Sequence, residues 1–299
     1  MSKICYVSRS FSAGSIALIE QANTIIAEYQ EQGFTLTLRQ LYYQFVSRAL
    51  IPNKQAEYKR LGSIINDARL AGLIDWETIE DRTRNVRTFS SWDGPADIIK
   101  SAVHGFRLDK WADQPCRIEV WIEKDALIGV VEPACEAFDV PYFACRGYTS
   151  QSEQWRSGVR FARQKKTGQK PIVLHLGDHD PSGIDMTRDN RDRLFLLSGG
   201  VDVEIDRLAL NMDQVERYNP PPNPAKMTDA RFNGYAEKYG DESWELDALN
   251  PSVIDKVVRN AIKAHLDMKK WKAAIEREDG ERAKLQAVAD NWDTISETL

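Results

Sequence analysis

Cysteine is scarce in this chain. The four of them, Cys5, Cys116, Cys135 and Cys145, are scattered through 299 residues with no CxxC pair. That argues against a disulfide framework or a zinc site and fits reduced thiols in a cytoplasmic protein. No apolar run approaches the roughly 18 residues a membrane span needs. The opening MSKICYVSRSFSAGS lacks the apolar core of a secretory signal. There is no internal repeat, no low-complexity tract and no glycine-rich phosphate loop, so ATP-driven chemistry is not expected of this chain by itself. Nor is there a large excess of one charge: 40 basic residues stand against 45 acidic, a net charge of −5. Bulk attraction to a polyanion is therefore not expected, but a net value hides local fields. One local absence stands out. Residues 35–56 contain no Asp or Glu, yet hold Arg39, Arg48 and Lys54.

What is present reads as a globular α/β protein of two modest domains, 42% hydrophobic and 28% charged. Ile16, Leu18, Ile19, Ala22, Ile25, Ile26 and Tyr29 recur at helical spacing, and Gly33 closes that helix. Thr37 with Gln40 forms a capping-box pattern, opening a second helix with the apolar stripe Leu38, Leu41, Tyr42, Phe45, Val46 and Ala49. A third amphipathic helix follows the IPN break, and LIDWETIEDRTRNVRTF then holds short β-like pieces. Helix, turn, helix and ribbon is the order of a winged-helix DNA-binding unit, or of a plain helical subdomain. Residues 1–95 are assigned to it, 96–115 to a linker and 116–299 to a second domain with a C-terminal helical extension. In that second domain CRIEVWIE, VPYFACR, PIVLHLGD and VDVEIDRLAL alternate with amphipathic stretches 126–138, 151–164 and 184–197. The alternation predicts βαβ units and a mostly parallel sheet.

In such sheets chemistry gathers at the carboxyl ends of the strands. Glu123 ends one expected strand, and Asp178 and Asp180 end another, on one side of an extended chain because they stand at i and i+2. Three clustered carboxylates repel, and hard oxygen donors of this kind suit Mg²⁺. The alternative is that they are helix caps or solvated loop acids, and a capping role for Asp180 is compatible with a metal site. His179 between them points the other way and reads as structural. On the second helix Tyr42 lies in the apolar stripe, while Tyr43 stands about 100° around the axis. Tyr43 shares its face with Arg39 and Ser47, which predicts a groove-facing ring.

At these residues the chain resembles a known family. The EK strand end and the later GDHDPSG resemble a Toprim domain, the metal-binding fold of topoisomerases, bacterial primases and several nucleases. WIEKDALIGVVE, CRGYTSQSEQWR, GDHDPSGIDM, RLALNMDQVERYNPPPNPAK and EKYGDESWELDAL, in that order, resemble the topoisomerase VI A subunit and its relative, the meiotic double-strand-break transesterase. TLRQLYYQF resembles the winged-helix motif that carries the nucleophile, and the matches run over residues 35–249. The chain is shorter than a typical A subunit and is similar to the short stand-alone versions of phages and plasmids called Mini-A.

The resemblance implies a winged helix followed by a Toprim domain. It further implies DNA double-strand cleavage by transesterification to a tyrosine–5′-phosphate, as in a type IIB topoisomerase A subunit. Tyr43 would be the nucleophile, with Arg39 four residues before it stabilising developing charge. Glu123, Asp178 and Asp180 would hold Mg²⁺, with Mn²⁺ as a substitute. Duplex DNA would be the partner, contacted by Arg48, Lys54, Lys59 and Arg60. A homodimer would bring the tyrosine of one subunit to the metal of the other, and an ATPase would be a separate subunit. A cytoplasmic, nucleoid-associated location in a bacterial or phage-infected cell is expected. The rival readings are a hydrolytic Toprim nuclease, a non-catalytic DNA-binding regulator, and a primase-like Toprim protein; the zinc-binding cysteines or helicase parts that usually accompany the last are not evident.

Overall fold

The computed structural model describes residues 3–79 and 89–297. The first part is helical. Helix α1 (Ala13–Glu31) is capped by the Ser12 side chain and ends before Gly33 at φ +83°. Helix α2 (Leu38–Ser47) opens with the expected capping box between Thr37 and Gln40. Helix α3 is Gln55–Leu70. Leu18, Ile25, Leu36, Leu41, Phe45, Leu61 and Ile65 join in one buried cluster, the product of the 3.6-residue spacing on each helix. The ribbon expected next falls largely on residues 80–88, outside the described residues.

The stretch expected as a linker carries helix α4 (Pro95–Gly105), whose partner is the much later helix α11 (Met268–Asp290). The segment that follows α4 is tied to α11 through the Leu108 N–H, which donates to Glu278 at 2.8 Å. The remainder is an α/β unit. Strands β1 (Cys116–Ile122), β2 (Tyr142–Ala144), β3 (Lys170–Leu176) and β4 (Glu204–Ala209) form a parallel sheet in the order β2-β1-β3-β4. Helices α5 (Ile128–Ala137), α6 (Gln151–Lys166) and α7 (Pro181–Leu197) connect them. All four strands and all three connecting helices arise where the hydrophobic pattern puts them. Strand β2 is shorter than its apolar run because the backbone turns to positive φ at Arg146, just past the strand.

Both faces of the sheet are covered, as parallel sheets require. Ile118, Val120 and Ile122 of β1 with Ile172, Leu174 and Leu176 of β3 pack with α5 and helix α10 (Pro251–His265). Their neighbours Trp121 and Val173 pack on the opposite face with Phe161 of α6 and Leu194 of α7. Between β4 and α10 lie helices α8 (Met212–Tyr218) and α9 (Phe232–Tyr239), the short antiparallel pair β5 (Asn223–Pro224) and β6 (Glu242–Ser243), and a 3₁₀ turn, Leu246–Ala248. That turn joins the two parts of the molecule, because Ala248 belongs to the buried cluster of the N-terminal helices. It seats α2 against the sheet's carboxyl edge. Helix α12 (Trp292–Ser296) follows α11. No helix among the described residues is long and apolar enough to cross a membrane.

Candidate functional site

The central strands β1 and β3 run in register to Ile122 beside Leu176, so Glu123 and Gly177 leave the sheet side by side. The Asp178 N–H donates to Glu123 Oε2 at 2.9 Å. A Cβ on residue 177 would meet that same oxygen at 3.0 Å, and one on Gly183 would meet the Asp178 carbonyl oxygen at 2.2 Å. The two glycines of GDHDPSG are thus needed for close approach, which packs the acid-bearing turn tightly under the strand end.

Beyond β3 the chain stays extended. His179 exchanges backbone hydrogen bonds with Trp244, its N–H donating at 2.8 Å and its carbonyl accepting at 2.9 Å. The His179 ring is enclosed by Tyr235, Tyr239 and Trp244 and is 2.7 Å from the Tyr235 hydroxyl through Nδ1. Asp180 caps α7, its Oδ1 accepting from the Gly183 N–H at 2.6 Å and from the Ser182 hydroxyl at 2.9 Å. Asp178 is buried, and its Oδ1 accepts from the Leu246 N–H at 2.7 Å and lies 3.0 Å from the Lys124 ammonium. Arg207 of β4 braces this turn from beneath, donating to the carbonyls of Gly177, Asp178 and Gly183.

The acid cluster carries strong electrostatic tension. Burial pushes the Asp178 carboxyl up to about 8 in spite of Lys124. Burial also raises Glu123, with Asp180 adding like-charge repulsion. Among the described residues, no three His, Cys, Asp or Glu side chains converge into a ready-made metal shell. In kind, however, the donors fit a hard cation: crowded, partly desolvated carboxylates that raise one another are what a divalent ion relieves. In this geometry the relief comes from Lys124, which also bonds Glu245 at 2.6 Å and Asp247 at 2.8 Å.

Those last two acids connect the strand ends to α2. Arg39 pairs with Glu245 and lies 3.1 Å from Asp247 Oδ2 through Nε. Its guanidinium stands 5.9 Å from the Tyr43 ring centre. Tyr43 therefore shares its surroundings with Arg39, as the helix-face reading expects. The expectation of an open, groove-facing ring needs correction. Tyr43 is only 4% exposed, the same as Tyr42, because the Leu246–Ala248 turn covers α2. What separates the two rings is the hydroxyl. Tyr42 donates to Asn53 Oδ1 at 3.0 Å and to the Lys54 carbonyl at 3.3 Å. The Tyr43 hydroxyl faces Arg39 and Glu245. Burial, then Asp247 and Glu245, raise the Tyr43 phenol well above its ordinary value. Burial opposes ionisation of Glu245, but Lys124, Arg39 and Tyr43 together hold that carboxyl down to about 2.

The acid-free stretch is less positive in space than along the chain. Arg48 is bonded to Glu28, and Arg60 pairs with Glu57 at 2.8 Å. Lys54 and Lys59 are exposed, and no ion pair is formed by either among the described residues. Lys124, Glu245 and Asp247 are absent from the sequence-based site. A signal for two of them exists: WELD repeats the acid-x-acid spacing of DHD. In comparison with known proteins, no protein-family model matches the chain and no curated protein matches it.

Proposed function

We propose that this chain is a DNA-cleaving transesterase of the topoisomerase VI A type, a winged helix joined to a Toprim domain. Tyr43 is its nucleophile, with Arg39 beside it. The observation that carries the reading is a convergence. Tyr43 and Arg39, from the N-terminal helices, meet Glu245 and Asp247, and Lys124 joins those acids to Asp178 at the strand end. Residues far apart in sequence thereby form one mostly buried polar network within the chain that links the candidate nucleophile to the candidate metal ligands.

In the proposed reaction Tyr43 Oη attacks a backbone phosphorus in line. The Oη–P bond forms, the P–O3′ bond breaks, and the product is a tyrosyl 5′-phosphate with a free 3′-hydroxyl. A phenol of ordinary pKa near 10 is only ~0.1% ionised at neutral pH, a cost of about 4 kcal/mol, and burial beside Asp247 and Glu245 makes the Tyr43 phenol costlier still to ionise. Glu245, held near 2, is too weak a base to carry that proton and serves instead to orient the hydroxyl. The proton leaves to solvent, and the departing O3′ takes one from solvent. Arg39 offers its planar fork of donors to the developing charge. Mg²⁺ or Mn²⁺ held by Glu123, Asp178 and Asp180 would supply Lewis-acid charge to the scissile phosphate. Duplex DNA is the proposed substrate, two copies of the chain are needed for a double-strand break, and strand passage requires a separate ATPase.

Burial of the Tyr43 phenol supports a second reading: a hydrolytic nuclease that uses the same acids with water as nucleophile. One experiment separates the two. Supercoiled DNA is incubated with the protein and Mg²⁺ or Mn²⁺, denatured with detergent, and resolved with and without protease. The transesterase leaves protein covalently on the 5′ ends, and Tyr43→Phe leaves none. Cleavage without an adduct, undiminished in Tyr43→Phe, identifies the hydrolytic enzyme.

A further inference from the structure

Between α2, α3 and the β5 segment lies a cavity of about 290 Å³, lined in part by Tyr42, Tyr43, Tyr58, Asn53, Gln55 and Asn223. We infer that it receives one unpaired nucleobase of the DNA, drawn out of the helix next to the scissile phosphate. The inference rests on the transesterase reading for the identity of its polymer.

Three observations carry it. The first is the wall. The Tyr43 and Tyr58 rings each meet the Tyr42 ring at 5.3 Å, tilted by 63° and 75°. Aromatic side chains of this kind stack on bases regardless of sequence. The wall is also fixed in place. Tyr42 donates to Asn53, and Asn53 Nδ2 in turn donates to Asn223 Oδ1 at 2.7 Å and to the Pro222 carbonyl at 3.3 Å. The second is the remaining polar capacity. Asn223 Oδ1 is used by Asn53, which leaves its Nδ2 as a donor, and the carboxamide of exposed Gln55 provides both a donor and an acceptor. That is the vocabulary of a base edge. The third is charge. Arg39, the one cation among the described lining residues, stands at the Tyr43 end against Glu245, and the rest of the described lining is uncharged tyrosine and amide, which suits a neutral, flat ring. The volume stands at the lower end of small-ligand sites, enough for a single ring system and too small for a base pair.

The test uses the full-length protein and fluorescence anisotropy on three duplexes of one sequence: fully paired, with a one-nucleotide bulge, and with the same bulge lacking its base. The base-bearing bulge is expected to bind about 10-fold tighter than the abasic one, the scale of one stacked base. Tyr58→Leu, which keeps apolar bulk under the helix, should abolish that preference while leaving affinity for the paired duplex unchanged. Gln55→Ala, at an exposed position, should reduce it, and matched thermal melts report that both variants are folded. Equal binding of base-bearing and abasic bulges overturns the inference, as does a preference that survives both variants. If covalent adducts form but the preference is absent, the base pocket alone fails. If the preference is present but adducts never form, the transesterase reading fails and the pocket stands. Absence of DNA binding removes both.

Discussion

Arg39 and Arg48 belong to the same helix and its C-cap, in the same acid-free stretch, yet they enter two different electrostatic regions. Arg39 reaches an acid 206 residues away and joins a network in which Asp247 is fully buried and Lys124 is 17% exposed. Arg48 reaches Glu28, only 20 residues away, and both side chains remain about a third or more exposed. A linear window treats the two arginines as equal parts of one positive patch. In space Arg39, itself 48% exposed against 35% for Arg48, reaches onto the fully buried carboxylate of Asp247, whereas Arg48 pairs with a carboxylate that is itself solvated, so the two differ in the burial of their partners. Desolvation decides the difference: removing one partner from a buried network strands the others, whereas an exposed pair exchanges its partner for water at little cost.

The largest expected effect probes the buried side through chemistry. Tyr43→Phe should reduce covalent DNA attachment to background, since phenylalanine has no nucleophile. Its stability should fall by only about 1 kcal/mol, the worth of one hydroxyl interaction. Tyr42→Phe should keep the adduct, because its hydroxyl serves Asn53 and Lys54. If instead Tyr42→Phe is the inactive variant, the hydroxyl partners have assigned the two rings the wrong way round. The double variant Asp178→Ala, Asp180→Ala should likewise abolish divalent-dependent cleavage.

The next effect is on folding. Lys124→Met leaves Asp178, Glu245 and Asp247 facing one another without their ammonium, and should cost about 3–5 kcal/mol by urea titration. Arg48→Ala should cost less than about 1 kcal/mol. Similar losses in the two variants would erase the distinction between the regions.

The strand ends, the parallel sheet and the three N-terminal helices were legible because each rests on local periodicity: 2 for strands, 3.6 for helices, glycine and threonine at the ends. Asp180 as a cap and His179 as a structural ring were legible for the same reason. Lys124 was not, and for Glu245 and Asp247 the WELD spacing marks a second pair of acids but not its place, since their roles depend on where the Leu246–Ala248 turn lands on α2, a long-range packing result. The same turn buries Tyr43, and no property of TLRQLYYQF announces a lid that comes from residue 246. The linker expected over 96–115 gives way to helix α4 because the partner that stabilises it, α11, lies at the far end of the chain.

Buried charge also governs the acid limb of stability. Burial, with Arg207 nearby, depresses the His175 imidazole to about 3, and burial depresses His179 to about 4. A depressed histidine binds its proton more readily when unfolded. Between about pH 6.5 and 3 these two histidines therefore make stability rise with pH, while Asp178, raised by burial to about 8, keeps its proton longer when folded and contributes a fall with pH through that window and up to about 8. Each such group contributes a slope of at most about 1.4 kcal/mol per pH unit. His175→Gln should flatten the slope measured by chemical denaturation between pH 6.5 and 5. An unchanged slope would mean that His175 is not buried neutral.

The smallest effects belong to the exposed side, and they sharpen the comparison most finely. Lys54 and Lys59 form no ion pair among the described residues, whereas Arg48 and Arg60 must first leave Glu28 and Glu57 to meet a phosphate. If DNA binds across α3, Lys54→Ala and Lys59→Ala should each weaken binding by a few-fold and lower the salt-dependence slope by about 1, the signature of one lost phosphate contact. Arg48→Ala and Arg60→Ala should do less, since each removes a cation whose charge its paired acid already offsets. Glu28→Gln then becomes the deciding variant. If Arg48 is a latent phosphate ligand held back by its pair, Glu28→Gln should tighten binding and steepen the salt dependence, and the gain should disappear when Arg48→Ala is added. If Glu28→Gln changes nothing, Arg48 is a surface strut, and the positive patch narrows to the two lysines.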